Sequence, residues 1–185
     1  MIARRCKAAS GRAGRVALAL AALVPAAGPG GEGGGELQVE RPKVSLPAPG
    51  FELPDLQGDG HSLARYRGRA ILLHFWATFC VPCRKELPEL ERAWRRHRAS
   101  GLTVLGVAVD RGDARLVQRF ARDHGVTFPV LLDPRGTVRN RYEVRGLPTT
   151  YLIGPDGRIK GRAIGARHWD GPAAGELIGQ LLQGS

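Results

Sequence analysis

Two nearly continuous apolar runs, Ala70–Trp76 and Leu102–Val109, constrain the fold more than any other feature of the chain. Short runs of this kind form strands buried on both faces of a sheet. Between them, Leu87, Leu90, Trp94 and His97 recur at three- and four-residue steps, while Arg92, Arg95, Arg96 and Arg98 fill the other side. That spacing predicts an amphipathic helix. Strand, helix and strand in this order make a βαβ unit with parallel strands and a right-handed crossover. Asp113 is placed to cap a second helix with Leu116, Val117 and Phe120 on one side, and Pro129–Leu132 follows as a third, shorter strand. Beyond Arg145 the pattern changes to Thr149–Ile153, a Gly154-Pro155-Asp156-Gly157 turn and Arg158–Gly165, which predicts a β-hairpin and an antiparallel edge. Asp170-Gly171-Pro172 opens a last helix with Leu177, Ile178, Leu181 and Leu182 as its buried stripe. Phe51–Leu63, with a turn at Asp59-Gly60, adds a small N-terminal β-hairpin. The fold class is α/β, a mixed central sheet with helices on both faces.

The front of the chain has a different character. Residues 1–27 carry Arg4, Arg5, Lys7, Arg12 and Arg15 with no acid, then an apolar run from Val16 to Val24, then Pro25-Ala26-Ala27. This is the layout of a signal peptide or N-terminal membrane anchor. The run is well short of the roughly 20 residues that span a bilayer, which favours cleavage near Ala26 or Ala27. The expected location is exported, periplasmic or extracytoplasmic, the protein being soluble after cleavage or tethered to the inner membrane by this segment. Gly28–Gly35 holds six glycines and prolines follow, so 28–44 reads as a flexible linker, with the folded domain in 45–185 and its first core residue near Phe51. Of the formal net charge of +11, five units lie in the first 27 residues and the rest are scattered, which argues against nucleic acid as a partner.

The chain has three cysteines: Cys6, Cys80 and Cys83. Cys80-Val81-Pro82-Cys83 falls at the junction of the first strand and the first helix. A helix N-terminus favours thiolate over thiol, so Cys80 is expected to be the exposed, reactive member. Pro82 fits the first turn, where a missing N–H costs little. A closed zinc site needs four ligands, and no second cysteine pair exists; His74 lies in the buried strand and His97 far down the helix. Covalent haem attachment needs a histidine where this chain has Arg84. The two sulfurs can close a disulfide with little backbone movement, a chemistry that needs no metal and no organic cofactor.

Phe75-Trp-Ala-Thr-Phe-Cys-Val-Pro-Cys-Arg-Lys-Glu-Leu-Pro88 and Gly146-Leu-Pro-Thr-Thr-Tyr-Leu-Ile153 resemble the thioredoxin superfamily, and within it the exported TlpA/ResA-like thiol-disulfide oxidoreductases. The likeness extends from Ala48-Pro-Gly-Phe51 through Phe128-Pro-Val-Leu-Leu-Asp133 to Trp169-Asp170. It implies a thioredoxin fold with a central βαβ insertion and a cis Leu147–Pro148 bond lying against the cysteines. It further implies Cys80, Cys83 and Glu86 as catalytic residues, and Trp76, Val81, Pro82, Leu147 and Pro148 as the substrate-binding surface. Glu86 follows Cys83 by three positions; it either handles protons beside the thiol or is a first-turn acid complementing the helix dipole. His74 stands where thioredoxins proper have a buried acid. It is either a proton acceptor for Cys83 or a core histidine bonded to backbone, and the second reading is preferred. Trp94 and Trp169 read as core or interface aromatics. Peroxiredoxins share the front of the pattern, but their Pro and Thr are replaced here by Leu73 and Ala77, so peroxidase activity is not expected.

What the resemblance implies is a reductase of disulfides in exported proteins, acting as a monomer and recharged by a transmembrane thiol-relay electron donor. Its substrate would be an apocytochrome c, a copper-insertion protein or another exported thiol protein. The competing reading is a copper-binding assembly chaperone on the same fold, using Cys80, Cys83 and His168. Residue types alone do not set the direction of electron flow.

Overall fold

The computed structural model describes residues 37–44 and 46–184; the basic and apolar segment 1–27 and the glycine run lie outside the described residues. A small antiparallel hairpin, β1 (Glu52–Pro54) and β2 (Gly60–Ser62), precedes the main sheet. The main sheet comprises β3 (Ala70–Trp76), β4 (Leu102–Ala108), β5 (Val130–Leu132), β6 (Thr149–Ile153) and β7 (Ile159–Ile164), in the spatial order β5-β4-β3-β6-β7. β3, β4 and β5 are parallel neighbours, and β6 runs antiparallel to both β3 and β7. The helices are α1 (Val81–His97), α2 (Ala114–Asp123), α3 (Thr137–Arg141) and α4 (Pro172–Leu182). This is the mixed α/β architecture that the hydrophobic periodicity predicts.

Every residue of β3 and β4 is buried, as two-sided strands require. Successive side chains of β3 point to opposite faces. Trp76 packs on Phe120 of α2 with ring centroids 5.5 Å apart, while Phe75 meets Tyr142, just past α3, at 5.6 Å. The sheet is therefore covered on both sides. Gly106 in β4 admits the first contact: a Cβ there would lie 2.9 Å from the Phe128 ring and 3.0 Å from the Trp76 indole nitrogen.

Three features differ from the sequence reading. α3 has too few residues to show a period; it forms because the Asp133 carboxylate accepts the N–H groups of Thr137, Val138 and Arg139 at 2.8, 3.0 and 2.8 Å. The buried side of α2 is Val117 and Ala121 with Phe120 half-buried, and Leu116 points to solvent. The ordered fold also starts earlier than Phe51. Glu40 pairs with Arg162 of β7 through reciprocal backbone bonds of 2.8 and 2.9 Å, and Leu46 and Ala48 bond to Ile159 and Gly157 at 2.8 and 2.9 Å. Val39 lies so close to Gly161 that a Cβ there would be 2.4 Å from its methyl. Part of the segment read as a linker is thus a strap along the sheet edge. Its composition predicts no core, but backbone pairing with a free edge does not need one.

Candidate active site

The C-terminal end of β3 delivers the cysteines. After Trp76 the chain turns through Ala77-Thr78-Phe79, held by the Cys80 N–H to Ala77 carbonyl bond of 3.1 Å. The Asp110 carboxylate, just past β4, fixes the turn by accepting from the Thr78 N–H at 3.1 Å and the Thr78 hydroxyl at 2.5 Å. Cys80 is the N-cap of α1 rather than a first-turn residue, and its sulfur accepts the Cys83 N–H at 3.3 Å. Cys80 and Cys83 are joined as a disulfide, with Cα atoms 5.3 Å apart. Cys80 is 7% exposed and Cys83 0%, so the expected asymmetry is present but shallower than an exposed thiol would give. Only an edge of Cys80 reaches the surface.

That edge lies in a cleft of about 570 Å³ between the start of α1 and the loop preceding β6. Leu147–Pro148 is cis. Pro148 is buried, Leu147 is half-buried in the cleft wall, and among the described residues the Leu147 N–H donates to nothing and its C=O accepts nothing. Pro82 is exposed and lines the cleft beside Cys80, and Val81 is exposed next to it in the chain. Trp76 is not part of this surface: it is fully buried against α2, so its contribution is packing beneath the site, a correction to the substrate-contact role expected for it.

Glu86 lies one turn beyond Cys83 and is fully enclosed. Its Oε1 accepts the Trp169 indole N–H and, at 3.3 Å, the Arg167 N–H, while Oε2 has no partner. Burial pushes its carboxyl up to about 7, against the lowering by those two bonds. A first-turn dipole acid would be solvated; this one is not. His74 is also fully buried, its Nδ1 2.9 Å from the Thr150 hydroxyl and its Nε2 unpartnered. Burial pushes it down to about 3, which keeps it neutral at physiological pH. The core reading of His74 stands, with a side-chain hydroxyl rather than backbone as partner.

Sequence reasoning missed six residues of the cleft, Val109 and Gly146 among them. Phe79, adjacent to Cys80, is 70% exposed and forms an apolar lip. Arg111, Arg139 and Arg145 line the same cleft. Phe79 is signalled by its position next to the cysteine, whereas the arginines come from three separate segments that only the fold brings together. Cationic surroundings and a helix start both favour the thiolate of Cys80 in the reduced protein. His168 is turned toward Glu89, with Nδ1 3.3 Å from its carboxylate, and nothing in the geometry draws it to the cysteines. Among the described residues no group of three or more His, Cys, Asp or Glu side chains is arranged to hold a metal ion, so the copper reading has no support.

The model of the AhpC/TSA family matches residues 44–162. The chain belongs to the AhpC/TSA family. It is 41% identical over 118 residues to the thiol-disulfide oxidoreductase ResA of Geobacillus kaustophilus (strain HTA426), covering 63% of this chain and 67% of the relative. To the protein of the same name from Bacillus subtilis (strain 168) it is 38% identical over 113 residues, covering 60% of this chain and 62% of the relative. Among solved structures, it superposes on a thiol:disulfide interchange protein of the thioredoxin family from Chlorobium tepidum TLS with a TM-score of 0.66 and 27% identity, covering 76% of this chain and 99% of the other. StoA from Bacillus subtilis gives a TM-score of 0.59 at 26% identity, covering 70% and 94%. The fold is the thioredoxin fold, and the protein is a thiol-disulfide oxidoreductase whose redox group is its own cysteine pair.

Proposed function

We propose that this oxidoreductase reduces disulfides in exported proteins, with Cys80 attacking, Cys83 resolving and Glu86 taking up the proton that Cys83 releases. The observation that carries the reading is the unequal burial of the pair: one sulfur edge opens on a cleft with an unpaired backbone at Leu147, and the other sulfur is sealed behind it. In the reduced protein the Cys80 thiolate attacks one sulfur of the substrate disulfide. A mixed disulfide forms and the second substrate sulfur leaves as a thiolate, which takes a proton from water. Cys83 gives its proton to the Glu86 carboxylate and attacks the Cys80 sulfur, breaking the mixed disulfide and releasing the remaining substrate sulfur as a thiolate, which takes a proton from water. Two electrons pass to the substrate, and the protein is left as the Cys80–Cys83 disulfide. Leu147 would offer its N–H and C=O to an extended substrate strand, with Val81, Pro82 and Phe79 beside it and Pro148 behind.

Electrons would return from a transmembrane thiol-relay donor, since an oxidising compartment does not supply them. The basic and apolar layout of residues 1–27 supports export to the periplasm or another extracytoplasmic space, as a signal peptide or as an inner-membrane tether. In this reading the protein acts as a monomer, and its substrates belong to cytochrome c maturation or oxidase copper-site assembly. Ionised Glu86 near Cys83 disfavours the dithiolate, which supports the reducing direction.

Cys83→Ser is expected to accumulate a mixed disulfide with substrate, seen on non-reducing gels and by mass spectrometry, while Cys80→Ser accumulates none. The reduction potential of the pair, measured against glutathione, should lie on the reducing side of the glutathione couple. A potential near that of a strong oxidant, or equal trapping by both variants, would overturn the assignment.

A further inference from the structure

The cleft beside Cys80 carries a charge pattern that thiol exchange itself does not require. Arg111 follows β4, Arg139 belongs to α3, and Arg145 precedes the cis Leu147–Pro148 bond, yet all three line one cleft, and no Asp or Glu lines it with them. Three of the carboxylates nearby in sequence are engaged elsewhere, and Glu143 lines an adjacent cleft with Arg145 rather than this one. Asp110 holds Thr78, Asp113 caps α2 through the Arg115 N–H at 2.8 Å, and Asp133 caps α3. Among the described residues none of the three arginines has an ion-pair partner; Arg139 donates from Nε to the Val144 carbonyl at 3.1 Å, which orients its guanidinium, and Arg111 and Arg145 are exposed. Three like charges in one concavity repel one another, and low-dielectric walls concentrate their field. A fold that gathers them without a counter-ion favours a partner that brings one.

We propose that these arginines select substrates whose reactive cysteine is flanked, within two residues on either side, by Asp or Glu. This rests on the exchange reaction described above and names its substrate class. An extended segment seated on the Leu147 backbone, with its cysteine over Cys80, places alternate side chains along the cleft. Carboxylates at those positions reach the guanidinium forks of Arg111 and Arg145, a geometry in which arginine binds bidentately. Leu147 and Phe79 supply the apolar contact between them. The charges act both on encounter and on binding, and both effects weaken as salt shortens the screening length.

The test uses three peptides of equal length with the same internal disulfide, flanked by Glu, Gln or Lys. Their second-order rates of reduction by the reduced protein are measured by quenched flow and mass spectrometry. The Glu peptide should react fastest and the Lys peptide slowest, with about a tenfold spread at low ionic strength that contracts with added salt. Arg111→Gln combined with Arg145→Gln should erase the order. Arg119→Gln, on the exposed side of α2 outside the cleft, should preserve it. Equal rates for the three peptides, or an order that survives the double substitution, overturns the proposal and leaves the exchange reaction standing. Failure to reduce any peptide counts against the reductase reading instead. Recognition is then read by fluorescence anisotropy with cysteine-to-serine forms of the Glu and Lys peptides on the oxidised protein, where equal affinity overturns it and tighter binding of the Glu peptide upholds it.

Discussion

α1 buries two glutamates in two of its turns, and the surroundings of the two differ. Glu91, in the middle of the helix, accepts from the Thr127 N–H at 2.7 Å, the Thr127 hydroxyl at 2.6 Å, Arg95 Nε at 2.6 Å and the Phe128 N–H at 3.3 Å. Burial alone would push its carboxyl up, but these donors outweigh it and hold it below the usual carboxylate range. Glu86, near the cysteines, has two donors on one oxygen and none on the other, and burial prevails. Burial is common to both, so the donor count decides. Glu91 is a clamp, charged at neutral pH, between α1 and the segment entering β5, whereas Glu86 is left able to exchange a proton near neutral pH.

The clamp is where a substitution should cost most. Glu91→Ala leaves the Thr127 and Phe128 donors buried without an acceptor and should lower unfolding stability by about 3 to 4 kcal/mol in urea titrations at pH 7. Because its folded pKa is depressed, the contribution of Glu91 is present above its unfolded pKa and disappears as pH falls through the folded value. Acid denaturation of Glu91→Gln should accordingly be less steep than that of the parent. A loss under about 1 kcal/mol would mean that the four bonds are no better than the solvent they replace.

Glu86 should behave in the opposite sense and with a smaller effect. Its folded pKa is raised to about 7 from 4.5, so the stability it contributes is fully present below 4.5 and is lost as pH rises through about 7. The parent should weaken between pH 5 and 8 by on the order of 2 kcal/mol, and Glu86→Gln should flatten that slope. The same variant should remove an inflection near pH 7 from the exchange rate. If the inflection survives in Glu86→Gln, the proton passes elsewhere.

The smallest effect is expected at His74. Thr150→Val removes the hydroxyl on Nδ1 and should cost about 1 kcal/mol, while leaving the pH profile of exchange between 5 and 8 unchanged, because the imidazole stays neutral throughout. A shifted profile would give His74 a part in proton handling after all.

These contrasts also mark how far the sequence is legible. β3, α1 and β4 are readable because each buries a long, regular pattern, and the cysteine pair is readable because its spacing and its place at a helix start carry the chemistry. The strap and α3 are not, since one is held by backbone pairing to β7 and the other by a single carboxylate. The enclosure of Glu86 is equally hidden: Trp169, which covers it, comes from the far end of the domain. The arginines of the cleft are three unremarkable members of an arginine-rich chain until β4, α3 and the loop before β6 are set side by side. Local periodicity reports which elements form, and convergence of distant segments is a property of their packing.

An open five-stranded sheet has two outer edges, and here both are met by residues N-terminal to β3. The strap pairs with Arg162 of β7 and with Arg158 just before it, and at the other side Asp55, just after β1, bridges Leu131 of β5. Asp55 is itself fixed there by the Gln57 and Asp59 N–H groups and by His61, which also bonds Tyr66. A row of unpaired N–H and C=O groups is a template on which another copy can add a strand, and the residues between Glu40 and Asp55 occupy parts of both rows. A chain shortened to begin at Phe51 would keep the cysteines, the cis proline and the arginines, and yet bare the outer side of β7. Its failure would come in storage rather than in catalysis, as edge-to-edge aggregation.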